Sequence, residues 1–139
     1  MTYLEHANIT VPDVAEAVKF LQLIDPTFEV RHQGKMDDGV VWLHVGNDRF
    51  YIAVQGERPD SGPARVDGTY YSPGINHLGW VVDNVLALTA RLEAAGYKLH
   101  SLMEDHAFRK RRYVFDNAGF EWEFVEYLSD DPDKRNQYE

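Results

Sequence analysis

The chain has 139 residues, of which 44% are hydrophobic, and a net charge of −9 at pH 7. Its length suits one domain with a real core, or two half-sized modules. The negative charge opposes nonspecific nucleic-acid binding, the apolar runs are too short to span a membrane, and the absence of cysteine excludes disulfides and thiolate sites. With no secretory signal pattern at the N-terminus, we expect a cytoplasmic protein without nucleic-acid or membrane partners.

The first predicted strand covers residues 3–11. Its polarity alternates, so His6 and Asn8 share one face while Ala7, Ile9 and Val11 share the apolar one. A helix should begin at Asp13 as N-cap and stop before Pro26, with its apolar side on that strand.

Three further strands are predicted at residues 28–32, 40–45 and 49–55. Gly34 and the cluster at 37–39 should form the first turn, and residues 46–48 the second. In the middle strand Trp42 and His44 share a face, and in the last Tyr51 and Ala53 do so. A βαβββ module is therefore complete within residues 1–55.

Residues 56–74 are rich in glycine and proline and are predicted to be a linker. Two readings of this segment stay open. It covers a site, with Tyr70 and Tyr71 as the closing side chains, or it only tethers two modules.

A second module is predicted over residues 75–127. It has a strand at 75–82, a helix at 84–95, and strands near 97–102, 111–116 and 120–127. In the last strand Trp122 takes one face, while Glu121 and Glu123 take the other. The polar tail, 128–139, should be frayed or lie on a partner.

The two modules echo each other. His6 precedes His77 by 71 residues, and Phe50 precedes Phe120 by 70 residues. Two pairs of matching segments at nearly the same offset indicate an internal repeat of one structural unit.

This repeat predicts a metal site. If the modules pair about a pseudo-twofold axis, His6 and His77 lie on facing first strands, and the last-strand counterparts are Ala53 and Glu123. Two imidazoles and one carboxylate with open positions suit Fe(II), Mn(II), Zn(II) or Ni(II). Glu121, on the same face, is the alternative carboxylate.

The chain resembles the vicinal oxygen chelate superfamily of glyoxalases, extradiol dioxygenases, fosfomycin-resistance transferases and bleomycin-resistance proteins. The resemblance spans about residues 3–127 and rests on three segments: 4–13, 76–84 and 116–123. It implies an α+β fold in which two paired βαβββ modules form an open, barrel-like glyoxalase-type domain. It also implies one divalent metal on His6, His77 and Glu123, a small-molecule substrate and a homodimer.

At several positions this sequence lacks residues that enzymes of the superfamily carry, and these differences limit the activities to be expected. Ala53 stands where glyoxalase I carries a fourth, acidic ligand. Tyr113 falls where ring-cleaving dioxygenases have an active-site tyrosine, but their catalytic histidine should lie near Phe50, leaving His44 or His106 as substitutes. We expect a metal-dependent lyase or dioxygenase that chelates neighbouring oxygens of its substrate. The alternative is a metal-free, bleomycin-resistance-like protein that sequesters a small molecule.

Several residues carry two interpretations. Trp42, Tyr51 and Tyr113 line an aromatic pocket or pack in an ordinary core. His44 is a general base or a structural histidine. The basic run 109–112 grips an anion or is a solvated turn, and the solvated turn is favoured.

Overall fold

The computed structural model describes residues 1–62, 69–71 and 73–138. The chain forms two compact units, Met1–Ala64 and Arg65–Glu139. Each contains one four-stranded sheet and one long helix, and the second unit also carries a short 3-10 turn and a short final helix. Part of the predicted linker, at positions 63–68 and 72, lies outside the described residues.

The first unit has the predicted βαβββ order. Its elements are β1 (His6–Val11), α1 (Val14–Ile24), β2 (Glu29–Lys35), β3 (Val41–Gly46) and β4 (Tyr51–Gly56). The sheet order is β1-β4-β3-β2. β1 runs parallel to β4 and the other neighbours are antiparallel.

The second unit repeats this plan. A short 3-10 turn (Thr69–Tyr71) precedes β5 (His77–Val81), α2 (Val85–Ala94), β6 (Lys98–His106), β7 (Arg109–Phe115), β8 (Glu121–Tyr127) and a final short helix, α3 (Pro132–Arg135). The sheet order is β5-β8-β7-β6, with β5 parallel to β8. The predicted repeat is thus present in both connectivity and strand direction.

Helix α1 packs across β3 and β4. Its main packing is on these two central strands, whereas β1, on whose apolar face the helix was expected, lies at the edge of the sheet. As predicted, the Asp13 carboxylate caps the helix and accepts a hydrogen bond from the Glu16 amide at 3.1 Å. The buried apolar residues of this unit are Val11, Phe20, Leu21, Ile24, Phe28, Leu43, Val45, Ile52, Ala53 and Val54.

Helix α2 packs on β6, β7 and β8. Asn84 caps its first turn, and Gly96 follows it with a φ of 94°, a conformation that suits glycine. On the last strand Trp122 and Phe124 are fully buried, as their alternation predicts. The Trp122 indole donates to Asp116 at 2.9 Å, which ties the strand to the preceding turn.

Two turns differ from the prediction. Gly34 belongs to β2, whereas the predicted cluster at 37–39 does form the first turn, within residues 36–40, and Gly39 there has a φ of 85°. In the second unit, β6 and β7 extend to His106 and back to Arg109. The run 109–112 is therefore strand and not a solvated turn, and Arg109 and Arg112 are buried.

The C-terminal tail folds back on its own unit. The Arg109 guanidinium donates to the carbonyl of Gln137 at 2.5 Å, and the ring of Tyr138 lies 4.2 Å from it. Arg135 stacks on Tyr127 at 4.8 Å. The tail up to residue 138 is thus packed against β7 and β8, in contrast to the expected frayed end. None of the helices in the described parts of the chain has the length and apolar character needed to cross a bilayer.

Candidate functional site

The second unit brings His77 and Glu123 together. They stand on the adjacent parallel strands β5 and β8, and Gly79 is the register partner of Glu123. The imidazole Nε2 lies 2.9 Å from Oε2 of the carboxylate. A side chain at position 79 would have its Cβ 3.6 Å from the same oxygen, so glycine leaves the carboxylate open on that side.

Both candidate histidines are held by the residue before them. Nδ1 of His77 lies 2.7 Å from the amide oxygen of Asn76, and Nδ1 of His6 lies 3.0 Å from a carboxylate oxygen of Glu5. An oxygen beside Nδ1 can accept the proton on that nitrogen, and Nε2 would then be the atom that coordinates a metal. Positions 5 and 76 are 71 residues apart, so this support follows the repeat.

A network of ion pairs connects Glu123 to Arg109, which contacts the tail. Arg111 Nη1 lies 3.4 Å from Glu123 Oε1, and the same guanidinium pairs with Glu104 on β6. Glu104 also accepts from Arg109 at 2.8 Å. Partial burial raises the pKa of Glu104, but its hydrogen bond and charge attraction to Arg111 lower that pKa more, and the net effect is a decrease. The network therefore holds Glu104 ionised and fixes Arg111 beside Glu123.

Tyr113 borders the same pair. It is the register partner of Glu123 on β7, and its ring meets the His77 ring edge to face at 5.6 Å. Burial, followed by the nearby charge of Glu123, raises the pKa of the Tyr113 phenol. Tyr113 is therefore protonated at neutral pH and can donate a hydrogen bond.

Glu121, the alternative carboxylate, has a different environment. It is only 8% exposed, and one of its oxygens accepts a hydrogen bond from the Tyr70 hydroxyl at 2.7 Å. Burial and this hydrogen bond raise the pKa of Tyr70. The Tyr70 ring also lies 6.3 Å from the His77 ring. Tyr70 thus contacts this site while remaining 50% exposed, whereas Tyr71 is 97% exposed.

The first unit presents a row of rings on the corresponding face. His6 stacks on Tyr51 at 4.8 Å, and Tyr51 stacks on His44 at 4.4 Å. The row continues to Trp42 at 5.2 Å from His44 and then to His32. Burial, followed by the nearby positive charge, lowers the pKa of His44, so this imidazole is neutral at pH 7.

The predicted site residues therefore fall into two sets. His77, Glu123 and Tyr113 are in mutual contact in the second unit, while His6 and His44 sandwich Tyr51 in the first. Within residues 1–62, 69–71 and 73–138, no three His, Asp or Glu side chains form a group that could hold a metal ion. The second unit thus supplies an imidazole and a carboxylate as a two-ligand pair.

Sequence reasoning treated Arg111 only as part of the basic run 109–112 and missed Glu104. The parity of β7 places Arg111 on the same face as Tyr113, which was a usable signal. Glu104 gave no such signal, because the strand that carries it runs four residues beyond the predicted end at residue 102.

Residues 3–124 match the family model of the Glyoxalase/Bleomycin resistance protein/Dioxygenase superfamily. The chain belongs to this superfamily. No curated protein matches the sequence.

Solved structures of the superfamily share the fold. A glyoxalase family protein from Bacillus cereus matches with a TM-score of 0.78 at 14% identity, over 93% of this chain and 96% of that one. Glyoxalase I from Leishmania major matches with a TM-score of 0.70 at 15% identity, over 91% and 87%.

A third matching structure is a complex with a metal ion. A mutant of the fosfomycin resistance protein FosX from Listeria monocytogenes, complexed with Mn(II) and 1S,2S-dihydroxypropylphosphonic acid, matches with a TM-score of 0.71 at 17% identity, over 99% of both chains. These likenesses confirm the predicted glyoxalase-type fold of two βαβββ modules.

Proposed function

We propose that this protein is a divalent-metal enzyme that binds two neighbouring oxygens of a small organic substrate. The observation that carries the proposal is the pairing of His77 and Glu123 at 2.9 Å on adjacent strands. His6 occupies the repeat-equivalent position of His77 and would supply the third ligand.

The donor set suits such a metal. Imidazole nitrogen and carboxylate oxygen are ligands of Fe(II), Mn(II), Zn(II) and Ni(II). Each histidine has an oxygen beside Nδ1, from Glu5 or Asn76, which is the usual support of a ligating imidazole. Bound there, the metal would act as a Lewis acid that polarises the substrate oxygens.

The chain's own residues would assist in two ways. The protonated Tyr113 hydroxyl would donate a hydrogen bond to an oxygen that gains negative charge. The neutral imidazole of His44 would accept a proton from the substrate as general base. Arg111 would hold the Glu123 carboxylate in place through Oε1, the oxygen that does not contact His77.

The proposed class of reaction depends on the absence of a carboxylate at position 53, where this chain has alanine. A carboxylate at this position would provide the fourth ligand and proton carrier that the resemblance to glyoxalase I implies, and alanine provides neither. A lyase or dioxygenase with a three-ligand site is therefore proposed in place of lactoylglutathione lyase activity. The Mn(II) complex of the FosX mutant supports metal binding on this fold.

Metal content tests the proposal. Protein purified without a histidine tag and titrated with Mn(II), Fe(II), Zn(II) and Ni(II) should take up about one equivalent of at least one metal. Under about a tenth of an equivalent as purified, with no uptake in any titration, would contradict it.

One observation favours a second candidate, the metal-free binding protein. Arg111 and His77 already flank the Glu123 carboxylate, so both of its oxygens have partners without a metal. The net charge of −9 would suit a cationic guest. A protein that takes up no metal but binds small cations would support this candidate.

We also propose a cytoplasmic homodimer. The resemblance to the superfamily supports dimerisation, and large hydrophobic side chains such as Val81 and Met103 are exposed. The tail packs on its own unit. Light scattering at micromolar concentration should give 32 kDa, twice the chain mass of 16.0 kDa. A mass of 16.0 kDa would exclude the dimer.

A further inference from the structure

A cavity opens on the face of the first unit that carries the row of rings. It encloses about 270 Å³. Engineered cavities of about 150 Å³ hold a benzene molecule, so this volume accommodates one substituted ring. Its lining includes Asn8, Met36, Trp42, His44, Ala53 and Gln55.

The shape of the cavity depends on two small residues. Trp42 lies flat across β2 because its register partner is Gly34, where an added Cβ would come within 2.8 Å of the indole. Ala53, buried at 7% exposure, lies beside it. The repeat-equivalent position in the second unit is Glu123, whose longer side chain would fill this space.

No lining side chain carries a formal charge. His44 is neutral at pH 7, since burial lowers its pKa. Polar groups come from the amides of Asn8 and Gln55, each of which offers a donor and an acceptor. An ionised guest would lose its hydration here without gaining a counter-charge. A neutral ring with one hydrogen-bonding substituent fits this lining.

We propose that this cavity binds an uncharged, single-ring aromatic group of the substrate, stacked against Trp42, and that Ala53 sets the specificity by leaving room for it. Asn8 stands two residues from His6 on the same face of β1, which is about 7 Å. A ring in the cavity would therefore present its substituents next to the proposed ligand His6. This assignment names the substrate class of the proposed enzyme and rests on that proposal for its chemistry, but ring binding itself needs no metal.

Fluorine NMR of 4-fluorobenzyl alcohol tests the assignment. The wild-type protein is stripped of metal with EDTA, so that the result does not depend on the metal proposal. Binding should broaden and shift the fluorine signal. Benzyl alcohol should displace the probe at concentrations roughly tenfold lower than cyclohexylmethanol does, because only an aromatic ring stacks on the indole. Equal displacement by the two alcohols, or no binding of the probe, would overturn the proposal.

Variants locate the binding. Ala53→Leu fills the cavity and Trp42→Leu removes the stacking surface, so each should weaken probe binding at least roughly tenfold. The matched control is Trp80→Leu, on the second unit, which should leave binding unchanged. If Ala53→Leu fails to fold, Trp42→Leu still decides. Equal weakening by Trp42→Leu and Trp80→Leu would overturn the location.

A final variant separates this inference from the metal proposal. Glu123→Gln should abolish or weaken metal uptake while leaving probe binding in EDTA unchanged. Loss of probe binding in this variant would overturn the assignment to the first unit. Failure of metal uptake in the wild type, with ring binding intact, would defeat only the proposed enzyme.

Discussion

The two units of this protein have the same strand order and the same register. They differ at one matched pair of facing residues, where the larger side chain lies on the first strand in one unit and on the last strand in the other. In the first unit Asn8 lies opposite Ala53, and in the second Gly79 lies opposite Glu123. Where one strand of the pair carries a polar side chain, its neighbour is small. The repeated fold can therefore hold a carboxylate in one unit and a cavity in the other without changing its backbone.

The surroundings of Glu123 and Ala53 also differ, since the first are charged and the second are not. Glu123 is the first member of a network of ion pairs. It pairs with Arg111, Arg111 pairs with Glu104, and Glu104 pairs with Arg109. Ala53 is surrounded by rings and amides. This difference suggests that the second unit supplies electrostatics and the first supplies shape, a division that the following predictions test in order of expected effect.

Replacing Arg109 should have the largest effect. Its side chain is 2% exposed and bonds both Glu104 and the tail carbonyl of Gln137. Arg109→Met keeps most of the volume but leaves that carbonyl without its donor, so we expect the free energy of unfolding in urea to fall by about 3 kcal/mol. Arg31→Met, an exposed arginine of the first unit, should change it by less than about 0.5 kcal/mol. Similar losses in both variants would refute a structural role for charge that is specific to the second unit.

Glu123→Gln should have the next largest effect. It keeps the shape of the side chain and removes the charge, so metal affinity should fall about tenfold or more. Glu121→Gln should lower it by less than about threefold, because Glu121 is buried and already bonded to Tyr70. Isothermal titration of the two variants with the same metal compares them directly. Equal losses, or a larger loss for Glu121→Gln, would show that the wrong carboxylate has been assigned.

Ala53→Glu should have the smallest effect on metal binding. It gives the first unit the carboxylate that the second already has, and we expect metal affinity to rise roughly threefold through the added ligand charge. The same change should block the ring cavity. Unchanged metal affinity in a folded variant would argue that position 53 does not face the proposed site.

The alternation of short strands was enough to predict most of the fold. In β8, Trp122 and Phe124 alternate with Glu121 and Glu123, and the structure confirms which pair is turned to the core. Caps at Asp13 and Asn84 were also readable, since their role depends on the next three residues only. The packing of α1 on β3 and β4 could not be predicted from the sequence. It depends on the strand order of the sheet, in which β1 is the neighbour of β4, a strand distant in sequence.

The candidate site was only partly readable, for a similar reason. His77 and Glu123 emerge from the repeat, whereas the pairing of Arg111 with Glu104 depends on the β6–β7 register, which shifts between Leu99 and Met103. A residue count cannot anticipate such a shift. The partly buried hydrogen bond between Tyr70 and Glu121 likewise joins positions 51 residues apart.

The central claim is that His6 and His77 act as equivalent ligands of one metal ion. Titration of His6→Gln, His77→Gln and His32→Gln with the metal that the wild type takes up tests it most directly. His32 is the control, because it lies at the far end of the same row of rings as His6. We predict that the first two variants each lose metal affinity by about tenfold or more, while the third stays within about twofold of the wild type. If His6→Gln behaved like His32→Gln while His77→Gln lost affinity, His6 would not be a ligand and the proposed three-residue site would be wrong.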